Sequence, residues 1–225
     1  MMRTDQPVRR VELDRGIEVD RASWWARIPA IAAVLDRGLN IPPGVTFLVG
    51  ENGSGKSTLV EALAVAHGLN AEGGSRGAMH STRATESPLG EALRLVRTPG
   101  RAVNAYFLRA ETMHGLYTYL ESSAEPGHPD TELHDRSHGE GFLDLLMRKF
   151  SGYGFYLMDE PEAPLSFTST LSLLARLDAL RSSGAQVVVA THSPVLTALP
   201  GATILELDEH GIRRAAWGDL EIVHL

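Results

Sequence analysis

Apolar positions along this chain fall either into short unbroken runs or into helical spacing, and the two kinds alternate. The runs "TFLVG" (46–50), "NAYFL" (104–108), "GFYLMDE" (154–160), "AQVVVATHS" (185–193) and "ATILEL" (202–207) are rich in Val, Ile, Leu and aromatics and predict strands. Between them "STLVEALAVAHG" (57–68), "HGEGFLDLLMRKF" (138–150) and "TSTLSLLARLDALRSSG" (168–184) carry helical spacing. Strands without polar alternation are buried on both faces. The pattern therefore predicts an α/β fold with a mainly parallel sheet flanked by helices.

The N-terminal part has a different texture. "RRVELD" (9–14) and "GIEV" (16–19) predict edge strands or a hairpin, giving an antiparallel N-terminal β edge, and "WWARIPAIAAVL" (24–35) a short docking helix. Residues 70–101, rich in Gly, Ser and Thr, read as an extended surface region, and "SSAEPGHPDTELHDR" (122–136) as a mobile loop. The expectation is one domain over 1–225, with surface insertions around 70–101 and 112–136.

Composition narrows the function classes. The formal net charge is −7, which argues against a standing nucleic-acid or anionic-membrane surface on a lone subunit. There is no cysteine, so disulfides and thiolate metal sites are excluded and a reducing compartment is expected. "MMRTDQPVRRVEL" has no apolar signal region, and no run of about eighteen apolar residues occurs, so a cytoplasmic protein without membrane insertion is expected. Arg94, Arg97 and Arg101 read as a solvated helix face rather than a DNA contact, and His128, His134 and His138 fit no zinc spacing. Lys56 and Lys149 are the only lysines, so a lysine inside a motif carries weight.

That lysine lies in "GENGSGKST" (50–58), which fits G-x-x-x-x-G-K-[ST] between a predicted strand and a predicted helix. The glycines Gly50, Gly53 and Gly55 let the loop curl so that its amides, with those of Glu51, Asn52 and Ser54, point at a phosphate. The helix start adds its positive end. Lys56 reaches the β- and γ-oxygens, Ser57 offers a hydroxyl to Mg²⁺, and Thr58 touches the α-phosphate. A nucleoside triphosphate and Mg²⁺ are the expected ligands. "FYLMDEPE" (155–162) ends a buried strand in two acids. Asp159 suits the metal shell, and Glu160 a general base that activates water.

"RSHGEGF" (136–142) admits two compatible readings. One is a capping box of Ser137 and Glu140, the other a helix start that holds phosphate. With "GENGSGKST", "SHGEG", "LMDEPE" and "THS" in this order, residues 45 to 207 resemble the ABC-type ATPases, among them compact heads related to SMC and DNA-repair ATPases. The resemblance implies a P-loop NTPase fold of ABC type. It implies that Ser137, His138, Gly139 and Glu140, with Ser137 placed 22 residues before Asp159, form a signature helix start that caps the phosphate of a second copy. An ATP-dependent homodimer follows. It also implies that His192 contacts the γ-phosphate and lines up the water.

Two positions depart from the family pattern. "YFLRAETMH" has no Gln after its strand, so Arg109 or Glu111 must serve there, with Glu111 a tentative metal ligand. "EPEAPLS" ends in Ser166 where the family commonly has Asp. Trp24 and Trp25 are candidate adenine-stacking rings but read better as core or interface aromatics. The expected activity is ATP hydrolysis coupled to dimerisation. The alternatives are a transporter's nucleotide-binding subunit and a P-loop phosphotransferase. The sequence specifies no DNA or protein partner.

Overall fold

The computed structural model describes residues 6–75, 88–99, 104–112 and 138–224, the side chains of 138–140 excepted. Five runs of the predicted kind form one sheet: β3 (Val45–Val49), β5 (Asn104–Arg109), β6 (Gly154–Asp159), β7 (Gln186–Ala190) and β8 (Thr203–Asp208). With β9 (Gly211–Ala215) the order is β5-β6-β7-β3-β8-β9, parallel except for the β8–β9 hairpin. β3, β6 and β7 are buried at every position, as strands covered on both faces must be.

Alternation within each strand builds two cores. Leu48, Phe155, Leu157, Val188 and Ala190 face a layer containing α1 (Pro29–Arg37) and α2 (Lys56–His67). Phe47, Tyr156, Met158, Val187 and Val189 face the opposite layer. There α4 (His138–Lys149) contributes Phe142, Leu145 and Leu146, and α5 (Phe167–Ser182) contributes Leu173, Leu177 and Leu180. Between α2 and β5 lies the short helix α3 (Leu89–Ala92), and α6 (Pro194–Thr197) follows β7.

The antiparallel N-terminal strands exist, but as a sheet of their own rather than an edge of the main one. β1 (Val8–Leu13) lies between β2 (Leu39–Asn40) and β4 (Leu93–Arg97). "GIEV" is not a strand, because Asp14 turns the chain: its Oδ1 accepts the amide of Gly16 at 3.1 Å and its carbonyl that of Ile17 at 3.1 Å. Residues 70–101 are not simply surface. Ala71, Glu72, Leu89 and Ala92 are buried, and Arg94 and Arg97 stand on β4 instead of a helix face. The period-two pattern of "LRLVR" carries that signal. β9 also escapes the apolar-run reading, since "GIRRA" is half polar. Its turn is set by Asp208, whose Oδ1 accepts the amide of His210 at 2.7 Å. Arg101, His128 and His134 lie outside the described residues. Among the described residues no helix is long and apolar enough to cross a membrane.

Gln186 ties the two sheets together. It is fully buried at the start of β7, its Oε1 accepts the Val8 amide at 2.9 Å, and its Nε2 donates to Val8 O at 2.7 Å and Pro42 O at 3.0 Å. Gln186→Leu would strand these backbone groups away from water. It is expected to destabilise the fold by about 3 kcal/mol in chemical denaturation. A loss well under 1 kcal/mol would show that the sheets do not depend on this side chain.

Candidate functional site

The strand order sets the site. β7 lies between β3 and β6, so the loop leaving β3 and the acids ending β6 emerge from the same sheet end, one strand apart. In the first of these, Gly50 has φ 153°, and a Cβ there would meet Leu207 O at 2.2 Å. Gly55 caps α2 in the left-handed region, φ 97°, with its would-be Cβ 2.9 Å from Ile28. Only glycine fits either position. Lys56 is buried, and its Nζ donates to Gly50 O and Glu51 O, both at 2.8 Å. Burial lowers its pKa, while the charges of Glu160, Asp159 and Glu162 pull it back up.

The second loop begins at Asp159, which pairs in register with Arg109 on one side and Ala190 on the other. Burial pushes its carboxyl up to about 6, against the pull of the Ser57 hydroxyl and the Arg109 cation. Its Oδ2 lies 3.5 Å from Arg109 Nε, and its Oδ1 is buried with no hydrogen-bond partner. A cavity of about 340 Å³ opens here, lined by Ser57, Arg109, Glu111, Asp159 and Glu160 among others. A lone buried carboxylate oxygen beside a serine hydroxyl is the donor chemistry of a hard divalent cation, so the residues fit Mg²⁺. Among the described residues no three His, Cys, Asp or Glu gather to hold a metal unaided. That suits an ion that arrives with phosphate oxygens.

Glu160 is the one described non-glycine residue with positive φ, 48°, a conformation that concentrates at functional sites. Its Oε1 lies 3.7 Å from Nε2 of His192, which follows β7. The structure thus brings Glu160 and His192 together, and Glu160 lines the cavity with Ser57 and Asp159.

An AAA-domain family model matches residues 31–92, which contain the glycine loop and α2. Ribose import ATP-binding proteins RbsA 1 of Burkholderia ambifaria and Burkholderia cenocepacia are each 29% identical over 189 residues, 73% of this chain and 37% of theirs. Over that span the chain is similar to import ATP-binding proteins. It spans little more than a third of the length of these curated relatives, 37%. A solved dimeric ATP-binding cassette, in a post-hydrolysis state with ADP and phosphate, is 16% identical with a TM-score of 0.46, over 80% of this chain and 88% of that one.

In this chain the other sequence candidates fall as follows. Glu51, Asn52, Ser54 and Thr58 lie on the loop and the first turn of α2. Glu111 stands at the exposed rim of the cavity, its Oε2 3.3 Å from Arg109. The backbone of His138, Gly139 and Glu140 forms the start of α4, and Ser137 lies outside the described residues. Trp25 is buried in the core, whereas Trp24 is 61% exposed. Ser166 turns out to cap α5, its Oγ accepting the Ser169 amide at 3.2 Å.

Two residues escaped the sequence reading. Glu61, buried on α2, holds Arg109 Nη1 at 2.8 Å. Glu162 binds the loop after β7, as described below. An acid inside the apolar run "LVEALAVA" was the available signal for Glu61. Nothing local marked Glu162.

The raised pKa of Asp159 has a stability consequence. An unfolded aspartate titrates near 3.8 and this one near 6, so between those values the folded state binds the proton more tightly. Stability of the protein therefore falls as pH rises through that window and stays lower above it. Asp159→Asn is expected to be the more stable protein at neutral pH, by on the order of 1–3 kcal/mol, with the gain vanishing in acid. Urea denaturation across pH checks both sign and window.

Proposed function

We propose that the ATPase binds Mg·ATP and hydrolyses it to ADP and phosphate, with hydrolysis coupled to head-to-tail pairing of two copies. The observation that carries this reading is the convergence of Lys56, Ser57, Asp159, Glu160 and His192 at one end of the sheet. The amides of Gly50–Thr58 and the α2 N-terminus receive the phosphates, and Lys56 exchanges its loop carbonyls for phosphate oxygens. Ser57 and Asp159 would hold magnesium, with Glu111 as a further oxygen donor at the rim, and the ion would supply positive charge against the phosphates. Glu160 takes a proton from water as the water oxygen attacks the γ-phosphorus and the bond to ADP breaks. His192 donates to the γ-phosphate and keeps the water in line.

In the same reading Ser137, His138, Gly139 and Glu140 of the second copy close over the phosphate, as a helix N-terminus suits an anion. The protein is then a cytoplasmic head of SMC or DNA-repair type without coiled-coil arms between these motifs, since only 80 positions separate Ser57 from Ser137. A DNA or protein partner would dock on the compact body. The names of the curated relatives favour a second reading, a nucleotide-binding subunit of an importer. Copurification with a membrane partner would establish that one.

Glu160→Gln keeps the side-chain shape and removes the base. It is expected to lower ATP turnover about a hundredfold or more and to trap a dimer with ATP. Light scattering should then read twice the monomer mass with ATP and the monomer without it. A variant that binds ATP yet stays monomeric would rule out the paired head.

A further inference from the structure

β6 and β7 are neighbours, and their ladder ends with the Glu160 amide donating to Ala190 O at 2.9 Å. The turns that follow must therefore run side by side. The first, which carries Glu160, is closed by the Ala163 amide on Glu160 O at 3.0 Å and the Leu165 amide on Glu162 O at 2.9 Å. The second, which carries His192, is closed by the Ser193 amide on Thr191 Oγ1 at 2.9 Å.

One atom joins the two turns. Oε1 of Glu162 accepts the Thr191 hydroxyl at 2.6 Å and the His192 backbone amide at 2.8 Å. Thr191 is fully buried, and its hydroxyl donates to Glu162 while accepting from Ser193. Both donors enter a carboxylate, the acceptor that makes the stronger, shorter bonds. The backbone of His192 is thus fixed relative to the turn that carries Glu160, and the His192 ring sits 3.7 Å from the Glu160 carboxylate. A side chain needed only to close its own turn would not cross to the neighbouring one.

We propose that Glu162 is a positioning residue for hydrolysis, acting through His192: it locks the histidine turn to the turn of the general base. The proposal rests on the roles given above to Glu160 and His192. Without Glu162 the amide and hydroxyl it binds would turn to water, and His192 would lose its register with Glu160.

The test compares wild type, Glu162→Ala, Glu162→Gln, His192→Ala and the double variant Glu162→Ala/His192→Ala. Turnover, ATP affinity and hydrogen exchange of the His192 amide by NMR are measured for each. Glu162→Ala is expected to lower kcat about 10–100-fold with ATP affinity within about twofold, the range for removing a residue that orients a functional group. Glu162→Gln, which keeps an acceptor oxygen, should recover most of that loss. The double variant should be no slower than His192→Ala alone, because two residues acting as a unit are not additive. The His192 amide should lose protection in Glu162→Ala and keep it in Glu162→Gln. Additive losses, or an amide equally protected in Glu162→Ala, would overturn the proposal. If His192→Ala turns over like wild type while the amide still loses protection in Glu162→Ala, the contact is real and it is the hydrolytic role of His192 that fails.

Discussion

Lys56 and Arg109 are the two cations around which Asp159, Glu160, Glu162, Glu61 and Glu111 gather at the C-terminal end of the sheet. Carboxylates at this density can stay charged in a dry site only if each meets a donor or a cation. The two cations divide that duty. Lys56 is bonded to its own loop's carbonyls and acts on the acids as a charge, while Arg109 is bonded directly, 2.8 Å from Glu61 and 3.5 Å from Asp159. Their charge does not suffice for Asp159, whose pKa still stands near 6. Around the buried Asp159 the acids thus outnumber the cations. Such a site trades stability for affinity.

Sheet order turns this electrostatic arrangement into a geometric one. Strands lie about 4.8 Å apart, so with β7 between them the phosphate loop after β3 and the acid after β6 are separated by roughly 10 Å. That gap admits a phosphate group and its ion. The intervening strand contributes the histidine turn, which places His192 between the two. Three consecutive strand ends thus supply the cradle, the histidine and the acids, and no long-range motion is needed to assemble them within one copy. The fully buried Val-rich run of β7 is what holds them in register.

The local chemistry was legible wherever it depended on short, contiguous patterns. The strand–glycine loop–helix, the paired acids closing an apolar strand and the histidine after "QVVVA" each follow from neighbouring residues, and the structure places them at one sheet end. Side-chain links across the fold were not legible. Gln186 lies 178 residues from Val8, Glu61 lies 48 from Arg109, and Glu162 reaches a turn 30 residues on. Such pairs have no period to detect; only the register of the parallel strands brings them together. "LRLVR" and "GIRRA" failed for another reason. In half-exposed strands apolar residues alternate with charged ones, so no continuous apolar run marks them.

The position after β5 shows what geometry adds to a pattern with a missing residue. In place of an amide side chain the chain offers Arg109 and Glu111, and sequence alone could not choose between them. Their environments differ sharply: the Arg109 side chain is 20% exposed and that of Glu111 78%. Arg109 faces inward, where its guanidinium spans Glu61 and the Oδ2 side of Asp159, leaving Oδ1 without a hydrogen-bond partner. Glu111 stands at the rim, where a carboxylate remains solvated and free to turn toward an ion. In the proposed site Arg109 would orient Asp159, and Glu111 would add an oxygen at the rim. Because the two are themselves paired at 3.3 Å, an ion drawing Glu111 inward would loosen its hold on Arg109. Glu111 and Asp159 are thus linked through Arg109, which pairs with both.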